Sequence, residues 1–573
     1  MICRASLTCL LITIAGRDYK PVFQSQARQL VSISPPKGTQ LTLSNSRLSG
    51  VNMSSGVSII MLENINEVTV EDFSASGCTC AAILQSNNSA ASGLVQLKSS
   101  HFSQSVGTGI RVSNQSLTVQ DTTFSSLNGS AIDRDNEGDS RLELKSCSFT
   151  SMQGQSSNII SVTRADMLVS ECHFNNNSAI SVMAVEPKYS SVTTASANET
   201  VTVLGSTFLN NSASRSVVYM QGFDGDLNQV MHLYNSNFIN NTAQQLGAAV
   251  TAVSVKQVVV QGCMFTNNTA ELGFGALYVY GSSARVTLLL VYDSQFISNS
   301  GTSEGSDPDN IDMFDISSRV EGAGMYASKC QCVGVDSAVF TQNLGIGLSV
   351  LGQGSTLGNC GQSDSVLFNL SSSSNTSEDI DDFSDFLGEG RYYSTNIGFD
   401  IRRTEFSNNT AVKGTNVGSL ADYAKVDNVG AQGAGLSLEA CFATIVFEGY
   451  FNQNAAQQGG ALAITGSGQG LLVTQSEFDN NQAEYGGAIY GGAGATINVG
   501  SLSYIHDNTA GTDGAGVACA SCQSVNFWSC LFDSNQASGA GGACSCVDCN
   551  YVEADWAAFT NNRYIVQPAD WTA

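Results

Sequence analysis

Residues 478–490 read FDNNQAEYGGAIY, and each part of this phrase returns at a fixed distance along the chain. Its leading residue belongs to the series Phe451, Phe478, Ile505, Phe532 and Phe559, spaced by 27 residues with isoleucine on the third beat. Three residues behind each of these stand Asn454, Asn481, Asn508, Asn535 and Asn562 on the same spacing. A fixed period of this size marks a stack of like supersecondary units, each burying its apolar face against its neighbours. Between the anchors lie short alternating runs, such as GLLVT at 470–474 and ATINV at 495–499, broken by Gly, Asn or Ser. These are strand-length runs punctuated by turns, unlike the long helical patterns of tetratricopeptide or ankyrin repeats. The unit is a coil of three short parallel strands, and the fold class is all-β, a parallel β-helix.

In such a solenoid, successive rungs lie about 4.8 Å apart and residue i sits over residue i+27, so phenylalanines stack inside and asparagines hydrogen-bond along a turn. The glycine pairs at 459–460 and 486–487 fit a turn that needs positive φ or close backbone approach. Upstream, the phrase recurs with looser spacing at Phe174, Phe208, Phe238, Phe265, Phe296, Phe340 and Phe406, each followed three residues later by Asn. Phe73, Phe102, Phe124 and Phe149 mark weaker rungs without that asparagine. The expectation is roughly 16 rungs and a rod of about 75 Å. We divide the chain into a possible signal peptide (1–16), an N-terminal cap with weak rungs (17–150) and β-helix repeats (151–573).

Composition agrees with an exported rod. Charged residues are 13%, with 56 Gly and 6 Pro, so Ser, Thr, Asn and Gln carry the surface. A net charge of −25 with only 24 Lys plus Arg argues against nucleic acid as a partner, because phosphate contacts need clustered base. The start holds one early Arg4 and an apolar stretch at 5–15, the length of a signal-peptide core and too short to span a bilayer; a buried first strand is the competing reading. No later segment is long and apolar enough for a transmembrane helix.

Twelve NxS/T sequons are present, of which Asn176, Asn210, Asn240, Asn267 and Asn408 arise from the repeat phrase itself. Of the 17 cysteines, Cys147, Cys172, Cys263 and Cys530 sit two residues before an anchor, where other rungs have Ser or Thr, and read as buried small residues in a stack. Cys519 and Cys522 repeat at Cys546 and Cys549, 27 residues on. That spacing is similar to a four-thiolate zinc site, yet the repeat alone would set the pairs one above another near the Cα range for a disulfide. Cross-rung disulfides or an unbonded cysteine ladder are the expectation, and no catalytic, cofactor or metal residue is assigned.

The phrases FxxN and GGA[ILV], paired as Phe451/Asn454 with GGAL at 459–462 and Phe478/Asn481 with GGAI at 486–489, resemble the polymorphic membrane proteins of chlamydial type. Variants are GAGV at 514–517 and GGAC at 541–544, and the resemblance covers the chain from about Phe174 onward. It implies a right-handed helix, in line with the general rule for parallel crossovers, and a secreted or cell-surface passenger acting in adhesion, at an outer membrane if truly of that type. That family ends in an outer-membrane β-barrel, for which this sequence leaves no room after Phe559.

The period breaks at three consecutive rungs, with insertions at about 301–318, 352–395 and 412–428. Insertions gather on the functional face of solenoids. These carry Asp307, Asp309, Asp312, Asp379, Asp381, Asp382 and Asp385, which could gather calcium or lie in a solvated loop. The reading is a non-enzymatic rod that contacts a cell-surface protein or glycan through its insertions. A pectate-lyase-like carbohydrate-active enzyme and a purely structural coat protein are the alternatives. The repeats show no carboxylate ladder for the former, and the four histidines are scattered.

Overall fold

Alternation with a period of two builds each rung from its first strand. In Arg141–Lys145, Leu142 and Leu144 are buried while Glu143 faces outward. Ser146, at φ 52°, turns the chain; Cys147 is buried at the corner; and Ser148–Thr150 follows with Phe149 pointing inward. A second left-handed residue, Ser151 at φ 53°, turns it again, and Ile160–Thr163 supplies the third side. The computed structural model describes residues 6–8, 11–14, 31–33 and 40–564, apart from 54–55, 89–92, 136–139, 155, 164–165, 187–199, 223–228, 272–273, 282–286, 302–322, 331, 352–398, 412–431, 440, 442 and 467–469. All its secondary-structure elements are strands.

Three long parallel sheets run the length of the rod: one of five-residue strands, one carrying the anchors, and a third behind the glycine turn. The anchor sheet has 18 strands, of which Ser6–Thr8 alone is antiparallel, leaving 17 stacked rungs among the described residues. The rung beyond the expected 16 is Arg47–Ser49, whose inward residue is Leu48 and therefore carries no aromatic signal. At the N-terminal end, Ser6–Thr8 and Leu11–Ile14 pair antiparallel with the first rung and cover its backbone edge. These strands come from the apolar stretch for which a leader and a buried strand were the competing readings.

From Phe102 to Phe478, twelve consecutive rungs stack a phenylalanine inside, with neighbouring ring centroids 4.5–5.1 Å apart and interplanar angles of 2–12°. Ile505 interrupts the series, which resumes with Phe532 on Phe559 at 5.1 Å. Phe73 requires a correction, because it is not an anchor. Register places Ala75 beneath Phe102, and Phe73 occupies the corner that Ser100 fills one rung on. With only a methyl group at Ala75, the Phe73 ring reaches the stack from the corner, 5.6 Å from Phe102 and tilted by 46°. The rung keeps its apolar volume but not its pattern.

The asparagines form a continuous ladder through twelve rungs, from Asn177 to Asn562. Asn481 is representative. Its Nδ2 donates to Phe451 O at 3.0 Å and to Asn508 Oδ1 at 3.0 Å, while its Oδ1 accepts from Asn454 N and Nδ2, both at 3.0 Å. Upstream of Asn177 the same position is taken by Val51, Cys78, Ser105, Leu127 and Met152, all buried. The asparagine just before each ladder residue has a different task. Asn176, Asn210, Asn240, Asn267 and Asn408 are exposed and hold φ of 53–54°, the left-handed corner that asparagine tolerates. The two glycines of the turn also divide their work. Gly486 has φ +67°, and a Cβ on Gly487 would lie 2.5 Å from Ala515 O of the next rung.

Candidate functional site

The insertions occupy the rungs anchored by Phe296, Phe340 and Phe406. The chain leaves the first of these after Ser300–Gly301 and returns ahead of Met325–Ser328. It leaves the third after Ala411 and returns ahead of Leu436–Glu439, through the same corner between the anchor sheet and the third sheet. In the middle rung it leaves at Leu348–Leu351 and returns at Phe399–Arg402, through the corner between the third sheet and the five-residue sheet. The ladder passes all three without a break: Asn299 to Asn343 at 3.1 Å, Asn343 to Asn409 at 2.9 Å and Asn409 to Asn454 at 3.0 Å. Asp307, Asp309, Asp312, Asp379, Asp381, Asp382 and Asp385 lie outside the described residues.

Beside these exits, the outward face of the third sheet carries an apolar layer of its own. Leu277 and Val279 point into the lumen, so Tyr278 points out, in register with Tyr326 one rung on. Phe274 stacks on both, with centroids at 4.6 and 4.5 Å, and Tyr219 and Leu246 complete a buried patch. Lys329 Nζ lies 4.7 Å above the Tyr280 ring, and Arg215 lies 5.2 Å above that of Tyr219. Alternation assigns these tyrosines to solvent and gives no sign that they are covered. Their signal is an aromatic residue at the outward position of rungs that flank insertions.

A polar constellation lies further along, on the outward face of the anchor sheet. Register stacks Asp479, His506 and Asp533 on consecutive rungs. His506 Nδ1 is 2.9 Å from Asp507 Oδ2 and 3.3 Å from Asp479 Oδ1, and its Nε2 is 3.0 Å from Glu477 Oε1. The Tyr504 ring stacks on the imidazole at 4.0 Å. Three of these side chains, Asp479, His506 and Asp507, bring ligand atoms within 4.8 Å of one another. His506 is thus not one of a scattered set; the 27-residue spacing that stacks the anchors also places it between two aspartates. Burial lowers its affinity for a proton, but hydrogen bonds to Asp507 and Glu477 and the charges of Asp479 and Glu477 outweigh that, and its pKa stands above the usual 6.5.

The repeat cysteines meet inside the same end of the rod. Cys519 and Cys546 are register partners, Cys522 and Cys549 lie beside them, and all four are free thiols. Cys147, Cys172, Cys263 and Cys530 are also free and buried, each at the corner before its anchor.

Residues 81–291 match the family described as the right handed beta helix region. Residues 475–492 and 529–547 match the Chlamydia polymorphic membrane protein repeat. The fold is a right-handed parallel β-helix, and two of its segments match the polymorphic membrane protein repeat. A search of the curated proteins finds no match to the chain.

The first matched repeat contains Phe478, Asn481 and the turn at 486–489; the second contains Phe532, Asn535 and the turn at 541–544. In this repeat helix the conserved-length phrase therefore supplies anchor, ladder and glycine turn in one unit. His506 sits on the rung between the two matched repeats. A pKa raised by folding contributes stability that is fully present below about pH 6.5 and is lost as pH rises through the folded value. Thermal unfolding compared at about pH 6 and about pH 8 should show a small gain at the lower pH, under about 1 kcal/mol for a cluster whose Glu477 and Asp507 are exposed. His506→Gln is expected to abolish that gain; its persistence would assign the effect elsewhere. No helix among the described residues is long and apolar enough to cross a membrane.

Proposed function

We propose that this chain is an exported, non-enzymatic rod that contacts a cell-surface protein or glycan through its three insertions. One observation carries the proposal: three consecutive rungs hold the insertions while the asparagine ladder beneath them stays intact. A scaffold that keeps its register under added chain is suited to displaying that chain. The polymorphic membrane protein repeats support a surface location, and the apolar layer around Tyr278 supports a fixed base beside the exits.

The test is binding of the purified chain to a panel of cells and glycans, with and without calcium, beside a variant whose three insertions are trimmed to repeat length. Trimming is expected to abolish binding while leaving circular dichroism unchanged. Equal binding by both forms would remove the insertions from the site. A bound glycan recovered shortened would replace adhesion with a polysaccharide-cleaving activity.

A further inference from the structure

On the outward face of the anchor sheet, two carboxylates converge on one ring nitrogen. His506 Nδ1 lies 2.9 Å from Asp507 Oδ2 and 3.3 Å from Asp479 Oδ1. A single Nδ1–H can point at only one of these oxygens, so hydrogen bonding leaves the other poorly served. Neighbouring ligands of one ion, bound in tetrahedral or octahedral geometry, stand about 2.9–3.5 Å apart. Both separations fall in that span, and the ligand atoms of all three side chains lie within 4.8 Å of one another. Across the ring, Nε2 is 3.0 Å from Glu477 Oε1, and the Tyr504 ring stacks on the imidazole at 4.0 Å. Asp479 Oδ1 also accepts from Asn480 Nδ2 at 2.6 Å. The geometry of the histidine and of one aspartate is thus held from outside the cluster. Among the described residues, His506 is the sole ion-pair partner of Glu477, Asp479 and Asp507, so negative charge is in excess whichever state the ring is in.

We propose that Asp479, His506 and Asp507 bind one divalent first-row transition ion of the manganese class, with Glu477 as the outer carboxylate that holds the ring. One imidazole and two carboxylates suit such an ion, whereas calcium and magnesium call for oxygen alone. Nε2–H donating to Glu477 leaves the Nδ1 lone pair for the metal, and a carboxylate behind a ligating histidine fixes its tautomer and orientation in this way. Water fills the remaining positions. The repeat builds the site. Glu477 and Asp479 come from one strand, His506 is the register partner of Asp479 on the next rung, and Asp507 holds the left-handed corner after it at φ 54°. Asp533, the register partner of His506 one rung further, accepts from Thr560 Oγ1 and Asn561 Nδ2 at 2.7 and 2.9 Å and stays outside the set. A bound ion would tie the rung of Phe478 to that of Ile505, where the phenylalanine column is interrupted.

The test uses the full chain, freed of metal with a chelator and titrated with Mn2+ alone, an ion that favours carboxylate over the soft thiols of this chain. Electron paramagnetic resonance counts the bound ion, and spin-echo modulation reads a coordinated nitrogen. One equivalent of Mn2+ with imidazole nitrogen modulation is the expected result. His506→Gln and Asp479→Asn should lose that equivalent and its nitrogen signal while keeping the circular dichroism of the parent, since both side chains point outward. Glu477→Gln should keep the nitrogen signal and bind about tenfold more weakly. Asp533→Asn should bind as the parent does. Absence of nitrogen-coordinated Mn2+ at millimolar concentration, or equal binding by His506→Gln, would overturn the site and leave a surface hydrogen-bond network. Manganese bound without nitrogen modulation would place the ion on other carboxylates and overturn it equally.

Discussion

Replacing Asn299 with leucine is expected to destabilise the rungs around it by about 3–5 kcal/mol, because buried polar groups that lose a partner keep their desolvation cost. Asn299 Oδ1 is the acceptor for both Asn268 N and Asn268 Nδ2, each at 3.0 Å. Its Nδ2 serves Phe265 O at 2.9 Å and Asn343 Oδ1 at 3.1 Å. Leucine fills the volume but leaves two N–H groups without an acceptor and one carbonyl without its donor. Asn177→Leu, at the start of the ladder, should cost less, since the Oδ1 of Asn177 serves only Met152 N from the preceding rung. The natural chain already carries apolar residues at this position in Leu127 and Met152. Interrupting the ladder, rather than doing without it, is therefore what costs most. Amide hydrogen exchange resolved by rung would read the local loss directly. Equal effects at Asn177 and Asn299 would overturn this account, because the additional donor that Asn299 satisfies would then contribute nothing.

Phe265→Ala should be of similar size, about 3–5 kcal/mol from lost transfer energy and the residual cavity. The ring lies between Phe238 at 4.9 Å and Phe296 at 4.7 Å and is fully buried. Phe265→Ile should cost much less, about 1 kcal/mol, since the fold accepts isoleucine at Ile505 between Phe478 and Phe532. Urea unfolding with an unchanged m-value would check both. If alanine and isoleucine cost the same, ring stacking rather than filled volume would be the dominant contribution. The effect should stay close to the substituted rung, because a solenoid contacts only its neighbours.

Much of this structure was legible because a ladder stacks like on like. A 27-residue repeat of Phe and Asn can be satisfied by parallel rungs in register, and Asn454, Asn481, Asn508, Asn535 and Asn562 do form one hydrogen-bonded column. Reading failed where identity and register part. Phe73 shares the residue type of the anchors but sits two positions early, and Ala75 has the register without the ring. Leu48 anchors a rung that no aromatic marks. His506 looks isolated among four scattered histidines, although its spacing from Asp479 and Asp533 is the repeat itself. Cys544 closes a variant of the glycine turn in the sequence, and only the packing shows its sulfur beside Cys546. The outer layer around Tyr278 is not legible in the sequence because alternation says which way a side chain points, not whether something covers it.

The ladder bond from Asn454 to Asn481 spans 27 residues of chain and the one from Asn343 to Asn409 spans 66, yet they measure 3.0 and 2.9 Å. The chain-length term for closing the longer excursion exceeds that for the shorter by only about 0.8 kcal/mol, because it grows with the logarithm of length. A lineage carrying this rod can therefore lengthen, shorten or rewrite the sequence between two rungs almost free of thermodynamic penalty. Selection on what the rod displays is thereby uncoupled from selection on whether it folds.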